Sequence, residues 1–134
     1  MSQENVEIVR NLVAALNAAD VDSMVARYYT PDAEFKPAVQ AALEGTVYRG
    51  SGQIRAYYEE IYGIWEKFEV HLADLTERGE SVLATGSVTM RGKASGAELV
   101  APWTFVFDLT DGRVRRQRNF TDHADALKAV GLDE

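Results

Sequence analysis

The chain has 134 residues, no cysteine and a formal net charge of −7. This length suits a single hydrophobic core, and 46% hydrophobic residues can build it, so we expect one domain over residues 1–134. The lack of cysteine excludes disulfides and thiolate metal sites, and with only two histidines we expect no metal site. The acidic surplus disfavours nucleic acid and anionic membranes as partners. The first ten residues lack the apolar run of a signal peptide or membrane span, so the expected location is the cytoplasm.

The N-terminal half has the apolar spacing of amphipathic helices. The apolar positions of the first predicted helix are Val6, Val9, Val13 and Leu16. Asp20 is a suitable cap for a second helix, whose apolar stripe continues to Tyr29. Thr30-Pro31-Asp32 should end it, because the residue before a proline avoids helical geometry. Ser51 is a candidate cap for a third helix. The buried face of that helix is rich in aromatic residues: Ile54, Tyr57, Tyr58, Ile61 and Trp65.

The period of the apolar pattern changes from 3.6 to 2 after residue 65, which indicates strands. The predicted strands are 33–36, 68–73, 81–91, 98–109 and 113–121. Asp111-Gly112 is a strong hairpin signal, and Asp122 is a suitable cap for a last helical turn, Ala124 to Val130. Helices therefore come first and strands second. Short connections predict an antiparallel meander and an α+β class.

The strand 98–109 carries large side chains on both faces. Trp103, Phe105 and Phe107 point one way, whereas Pro102, Thr104 and Val106 point the other way. Three helices can cover one side of the sheet only, and a bare apolar face is costly for a monomer. We therefore expect a homodimer in which a second subunit covers the outer face of the sheet.

Five segments in this order resemble the NTF2-like superfamily, specifically its SnoaL-like branch. They are Leu12–Asp22, Tyr48–Gly50 with Ile54–Tyr58, Val100–Pro102, Asp111–Val114 and Phe120–Leu127. The resemblance implies an α+β roll in which N-terminal helices pack on a strongly curved antiparallel sheet and leave a cone-shaped pocket. Members include ketosteroid isomerase, polyketide cyclases, limonene epoxide hydrolase, scytalone dehydratase and non-catalytic binding proteins. Because one fold hosts many functions, the resemblance does not select among them.

The catalytic residues of ketosteroid isomerase have no equivalents in this chain. The resemblance puts its oxyanion tyrosine at Leu12, its carboxylate base at Lys36 and its protonated aspartate at Thr104. Tyr58 alone matches a supporting tyrosine of that enzyme. The aspartate–arginine–aspartate set of limonene epoxide hydrolase and the histidines of scytalone dehydratase have no evident equivalents either. Isomerisation by that enzyme's route is therefore not expected.

Several side chains are candidates for a pocket. An inward Lys36 could act as a base, a nucleophile or an anchor for an acidic ligand, although a lysine that lies beside Glu34 in solvent is the favoured interpretation. Tyr57 and Tyr58 could line the pocket or only pack in the core. The resemblance implies that a row of polar side chains on the last strand faces into the cone, whereas a register shift of one residue would make the row face outward. The row comprises Gln117, Asn119 and Thr121, with Arg113 and Arg115 on the same face and Thr104 beside it.

Other polar residues have ordinary structural explanations. His71 alternates with apolar residues on a strand, where a lone histidine is more often exposed than catalytic. Asp122 could act as an acid or base at the pocket mouth, although capping the last helix explains it as well. His123 is interpreted as a solvent-facing helix residue. The cluster Arg113, Arg115, Arg116 and Arg118 fits ion pairs between subunits or solvated charge better than nucleic-acid binding.

Two functions remain open at this point. The first is a protein that holds a small apolar organic molecule in the cone without changing it. The second is a cofactor-independent enzyme, such as a polyketide cyclase, isomerase, dehydratase or hydrolase, that uses some of Lys36, Tyr58, His71 and Asp122. No paired acid and base is evident, which favours binding. Neither function requires a metal ion or nucleotide cofactor. The predicted ligand-binding residues are Lys36, Tyr57, Tyr58, Thr104, Gln117 and Asn119.

Overall fold

A computed structural model of the chain describes residues 2–37 and 47–129. The helices are α1 (Ser2–Asn17), α2 (Val21–Tyr28), α3 (Gly50–Ile64) and α4 (His123–Ala129). The strands are β1 (Tyr29–Lys36), β2 (Tyr48–Arg49), β3 (Trp65–Arg78), β4 (Ser81–Gly92), β5 (Glu98–Thr110) and β6 (Arg113–Phe120). The predicted α+β class is confirmed. The sequence also suggests an irregular stretch, Pro37–Gly45, as a lid or simply a loop; apart from Pro37 it lies outside the described residues, as does Val130, predicted to end the last helix.

Six strands form one sheet in the order β2-β1-β6-β5-β4-β3. Strands β3 to β6 form the predicted antiparallel meander. Strand β1, however, pairs with β6 in parallel, with Glu34 opposite Arg116 and Lys36 opposite Arg118. The sheet is therefore mixed rather than wholly antiparallel. The prediction missed this pairing because β1 and β6 are far apart in the chain, where short connections give no information.

A close approach of two backbones lies where β4 passes β3 at Gly86, and a bulge at such a place bends the strand that contains it. The pairing of these strands shifts between Leu72 and Asp74, as expected of a β-bulge. A Cβ atom on Gly86 would lie 2.0 Å from the carbonyl oxygen of His71, which leaves no room for any side chain. A glycine at this position lets the two backbones approach closely and the sheet curve around the helices.

Helices α1, α2 and α3 cover the concave, inner face of this sheet. Their buried side chains are Val9, Leu12, Val13, Leu16, Met24, Val25, Ile54 and Tyr58. They pack against Val82, Ala84 and Val88 of β4 and Phe105, Phe107 and Leu109 of β5. The end of α1 is fixed to β3 by Asn17, whose amide donates to the carbonyl of Val70 at 3.0 Å and accepts from its N–H at 2.8 Å. The predicted aromatic stripe of β5 therefore faces the core.

The outer face of the sheet is partly covered by α4, which corrects the expectation that this face is bare within one subunit. Ala126 packs there against Leu83 and Val106. Asp122 caps the helix, because its carboxylate accepts from the N–H of Ala124 at 2.8 Å, as predicted. The cap predicted for α3 was wrong. That helix begins at Gly50, so Ser51 lies inside it, and its N-cap Arg49 makes no side-chain cap.

None of the helices in the described ranges is long and apolar enough to cross a bilayer.

The close approach at Gly86 gives a stability prediction. Gly86→Ala should lower the free energy of unfolding by about 3 kcal/mol, since the new methyl group would meet a backbone oxygen that cannot move aside. The measurement is urea denaturation followed by circular dichroism. Gly52→Ala in α3 is the matched control, because a Cβ there meets nothing within 4 Å. It should stabilise the protein by about 0.5–1 kcal/mol. Equal stability of the Gly86 variant and wild type would contradict this account of the bend.

Candidate functional site

The inner face carries a group of aromatic rings where α3 meets β1 and β2. Phe35 is buried and lies 5.7 Å from the ring of Tyr58 in a stacked arrangement and 4.9 Å from Tyr57 edge-on. Tyr48 and Tyr62 extend the group on either side, at 5.1 Å from Tyr57 and 6.4 Å from Tyr58. Aromatic pairs at these distances stabilise the core beyond the area they bury. Both predicted pocket tyrosines, Tyr57 and Tyr58, therefore belong to the interior.

A chain of polar side chains runs through this apolar interior. The hydroxyl of Tyr58 lies 3.2 Å from that of Tyr29, which in turn donates to Oε1 of Gln117. Nε2 of Gln117 donates to Oδ1 of Asn119 at 3.0 Å. The side chains of Tyr29, Tyr58 and Gln117 are buried, and Asn119 is half-buried. We call these four residues the inner polar chain.

The inner polar chain has one direction. The single proton of the Tyr29 hydroxyl goes to Gln117, so the proton between the two tyrosines comes from Tyr58. Each group therefore accepts from the preceding one and donates to the next, an arrangement in which hydrogen bonds polarise and strengthen one another. At its end the NH₂ group of Asn119 has no acceptor among the described residues. The chain thus ends in an amide donor.

Burial keeps these tyrosines in the neutral, proton-donating form. It raises the pKa of Tyr29, Tyr57 and Tyr58 well above the ordinary value, because a phenolate would lose its hydration. Burial also raises the pKa of Tyr62, to about 12. Near neutral pH these hydroxyls can donate hydrogen bonds, but they are poor proton acceptors.

The inner face is not completely shielded from solvent at one end. Asn119 and Trp103 both point inward, and both are half-buried. Each lacks a strand partner on one side, because β1 pairs with β6 only as far as Arg118 and β6 pairs with β5 only as far as Thr104. Solvent therefore reaches both side chains at this corner of the sheet. Phe68 and Leu72 of β3 are also inward and half-buried. The inner polar chain therefore runs from the closed core towards a partly open end.

A register shift in β6 decides which polar residues face inward. Leu109 pairs with Val114 and Asp108 with Arg116, so Arg115 has no partner on β5. The prediction that Arg113 and Arg115 share the face of Gln117 is wrong, because this extra residue reverses the alternation. Further along, Gln117 pairs with Phe107 and Asn119 with Phe105, both on the inner face. Their predicted inward direction is confirmed.

Thr104 and Lys36 do not join the inner polar chain. Thr104 alternates with Trp103 and Phe105, so it lies on the outer face, where its hydroxyl is 3.3 Å from Nδ1 of His123. Its predicted place beside Gln117 and Asn119 is therefore wrong. Lys36 is exposed and shares the outer face with Glu34, as the solvent interpretation predicts. The sequence similarity to ketosteroid isomerase suggested inward positions that strand alternation does not allow.

The remaining candidates also lie outside the interior. His71 is exposed on the outer face, 3.7 Å from Glu69. Asp122 caps α4, and His123 is exposed. Within the described ranges, no group of three or more histidine, aspartate or glutamate residues could hold a metal ion.

Sequence reasoning missed Tyr29. It appeared as the last apolar residue of a helical stripe, whereas the structure makes it the first residue of β1. The signal that could have found it is the position of Tyr29 directly before Thr30-Pro31. Because Pro31 puts Thr30 in extended geometry, the helix has to end before Thr30, and Tyr29 stands at the boundary with the strand.

The comparisons with known proteins agree with this architecture. A family model described as the SnoaL-like domain matches residues 9–117. The chain belongs to this family. No curated protein matches this SnoaL-like domain significantly.

Solved structures similar to this SnoaL-like domain cover almost all of it. An NTF2-like protein of unknown function from Burkholderia pseudomallei has a TM-score of 0.79 at 18% identity, over 96% of this chain and 97% of that one. A putative polyketide cyclase from Xanthomonas campestris has the same TM-score and identity, over 96% and 98%. A third structure is that of SalBIII, an epoxide hydrolase/cyclase-like enzyme with a role in pyran ring formation in the polyether salinomycin. It has a TM-score of 0.77 at 23% identity, over 88% of this chain and 90% of that one. At such identities these similarities establish the fold.

The inner polar chain gives a second stability prediction. Tyr29→Phe should cost about 1–3 kcal/mol, because it leaves Oε1 of Gln117 buried without a donor and the hydroxyl of Tyr58 without an acceptor. Tyr28→Phe is the matched control, since the neighbouring hydroxyl makes no hydrogen bond to a described residue, and it should change stability by less than about 0.5 kcal/mol. Chemical denaturation of both variants tests the difference. Similar losses in the two variants would show that the chain is not a stabilising network.

Proposed function

We propose that this protein binds a small, largely apolar organic molecule between the helical layer and the sheet. The observation that carries the proposal is the inner polar chain, which crosses an apolar interior and ends in an Asn119 amide with no acceptor among the described residues. Ligand sites typically combine apolar walls with a few fixed polar groups. The half-buried Trp103 and Leu72, which lie in one row across β5, β4 and β3, supply such walls, and Phe68 extends them farther along β3.

The direction of the chain specifies the chemistry of the ligand. Oδ1 of Asn119 already accepts from Gln117, whereas its NH₂ group has no acceptor among the described residues, so the unsatisfied group is a donor. A ligand that satisfies it needs an acceptor, most simply the carbonyl oxygen of a ketone or quinone. A bound ligand that displaces water from this amide without offering an acceptor would leave it unpaired, so the ligand's carbonyl should contribute to affinity.

Binding fits the inner polar chain better than catalysis does. The chain contains no carboxylate, imidazole or amine, and its two hydroxyls have raised pKa values. It can therefore orient and polarise a carbonyl, but it offers no base of suitable strength. The alternative is a cofactor-independent cyclase, isomerase, dehydratase or hydrolase acting on a similar molecule. This enzyme alternative is supported by two structural relatives, a putative polyketide cyclase and an epoxide hydrolase/cyclase-like enzyme.

The test compares ligand pairs that differ only at the carbonyl. Polycyclic ketones of steroid, aromatic polyketide and terpenoid type, each with its methylene counterpart, are titrated against the protein with tryptophan fluorescence as the readout. At least one ketone should bind the wild type about tenfold more tightly than its counterpart. Asn119→Leu should abolish that preference while keeping the affinity for the methylene compound. Product analysis by mass spectrometry in the same samples detects turnover, which would favour the enzyme alternative.

Asn11→Leu is the control variant for this test, because Asn11 is exposed on α1 and lies outside the inner polar chain. It should retain the ketone preference of the wild type. No binding across the whole panel, or an equal preference in the Asn119 variant and the wild type, would refute the proposed site.

We also propose that the protein forms a homodimer through the outer face of the sheet. The aromatic stripe of β5 no longer supports this idea, because it is buried inside the subunit. The part of the outer face not covered by α4 presents Thr85, Ser87 and Pro102 with the exposed Val100. Sedimentation at low micromolar concentration should show a dimer, and Ser87→Arg should shift it towards monomer. A wild-type monomer under these conditions would contradict the proposal.

A further inference from the structure

A small cavity lies on the outer face of the sheet where β1 and β6 run side by side. Its volume is about 160 Å³. The lining residues are Glu34, Lys36, Val47, Arg116, Gln117 and Arg118. The pairs Glu34–Arg116 and Lys36–Arg118 alternate with the inward pair Phe35–Gln117, so their charged side chains face away from the core. Gln117 lines the cavity from the strand between the two arginines, but its side chain points to the other face, so the charged groups of the cavity lie on the opposite side of the sheet from the inner polar chain.

Positive charge exceeds negative charge around this cavity. Two arginines, Arg116 and Arg118, share the buried carboxylate of Asp108, with nitrogen–oxygen distances of 2.8 and 3.3 Å to the same oxygen. The other oxygen of Asp108 accepts from the hydroxyl of Ser81. One carboxylate thus serves two guanidinium groups and a hydroxyl. It cannot neutralise both arginines.

The second carboxylate near the cavity is also shared. Glu34 forms an ion pair with Arg49 of β2, on the side away from β6. Lys36 makes no hydrogen bond or ion pair with any of the described residues, although it lines the cavity. This local surplus of positive charge lies in a protein whose formal net charge is −7. It therefore reflects local placement and not composition.

Unused donors accompany the surplus charge. Arg116 contacts Asp108 through Nε, so its two terminal NH₂ groups have no partner among the described residues. Nε of Arg118 is buried without a hydrogen-bond partner. Burial and the nearby Arg116 lower the pKa of Arg118, as expected for a guanidinium whose charge is not fully compensated. An anion in the cavity would supply the missing charge and an acceptor for the terminal NH₂ groups of Arg116.

We propose that this outer-face cavity binds a small oxyanion, the carboxylate or phosphate group of a small molecule, through Lys36, Arg116 and Arg118. The free edge of a guanidinium group matches two oxygens of such a group, and the lysine adds a point charge. A volume of about 160 Å³ admits a group of a few atoms but not a folded partner. Glu34 at the wall disfavours larger polyanions by repulsion.

The experiment is an NMR titration with inorganic phosphate and, separately, with acetate, at pH 7 and at an ionic strength kept constant with sodium chloride. We expect saturable shifts in the Nε–H signals of Arg116 and Arg118 and in the backbone amides of residues 34–36 and 116–118. Lys36→Met should weaken binding on the order of fivefold, because it removes one exposed charge. Arg116→Lys should also weaken it, because a lysine cannot present two donors in one plane.

Lys93→Met is the matched control, since Lys93 is exposed in the turn between β4 and β5. It should bind like the wild type. Saturation by acetate alone identifies a carboxylate site, and saturation by phosphate identifies a phosphate site. Shifts that stay linear with both anions, or an unchanged affinity in the Lys36 variant, would overturn the proposal. Because the inner polar chain takes no part, this result does not depend on the outcome of the ketone titration.

Discussion

The close approach of β3 and β4 at Gly86 is the constraint on which the rest of the molecule depends. A sheet that bends here has a concave side, which the three N-terminal helices can cover, and a convex side, which they cannot reach. The bulge beside Gly86 lets β3 and β4 approach more closely than any side chain would allow, and α1 contacts both strands on the covered side. The covered and uncovered faces are built from different residues of the same strands.

The two faces of the sheet carry different chemistry. On the inside the groups of the inner polar chain are neutral and linked in one direction, so they suit an uncharged ligand with an acceptor. On the outside the cluster around Asp108 is charged and only partly compensated. Both faces use strand β6, which places Gln117 inward between two outward arginines. One strand therefore contributes to both proposed sites, and its alternation keeps them apart.

Much of the architecture could be predicted from sequence, because it follows from local patterns. The helical spacing of Val9, Val13 and Leu16 predicted α1, and Asp111-Gly112 predicted the hairpin between β5 and β6. The parallel pairing of β1 and the position of α4 could not be predicted. They depend on which distant surfaces fit together, and periodicity along the chain contains no such information.

The candidate site was harder to predict than the fold, for a definite geometric reason. Strand alternation correctly predicted that Thr104 and Phe105 lie on opposite faces of the sheet, but the family resemblance placed Thr104 inside the cone. The extra residue at Arg115 then moved Arg113 away from the face of Gln117. One bulge is enough to reverse the faces of every earlier residue on a strand, and nothing in the sequence of β6 marks its position. Tyr29 was missed because it lies at the boundary between a helix and a strand.

The one-way order of the inner polar chain also determines how it would respond to the wrong guest. A guest oxygen, whether carbonyl or hydroxyl, can accept from the Asn119 amide without any rearrangement, whereas an apolar guest that excludes water would leave this donor unpaired, at a cost of about 1–3 kcal/mol. Reversing the chain would require both amides to rotate and Tyr29 to donate back to Tyr58, whose own proton would then have no acceptor among the described residues. The donor that Asn119 presents is thus held in place by a residue three hydrogen bonds away from the guest.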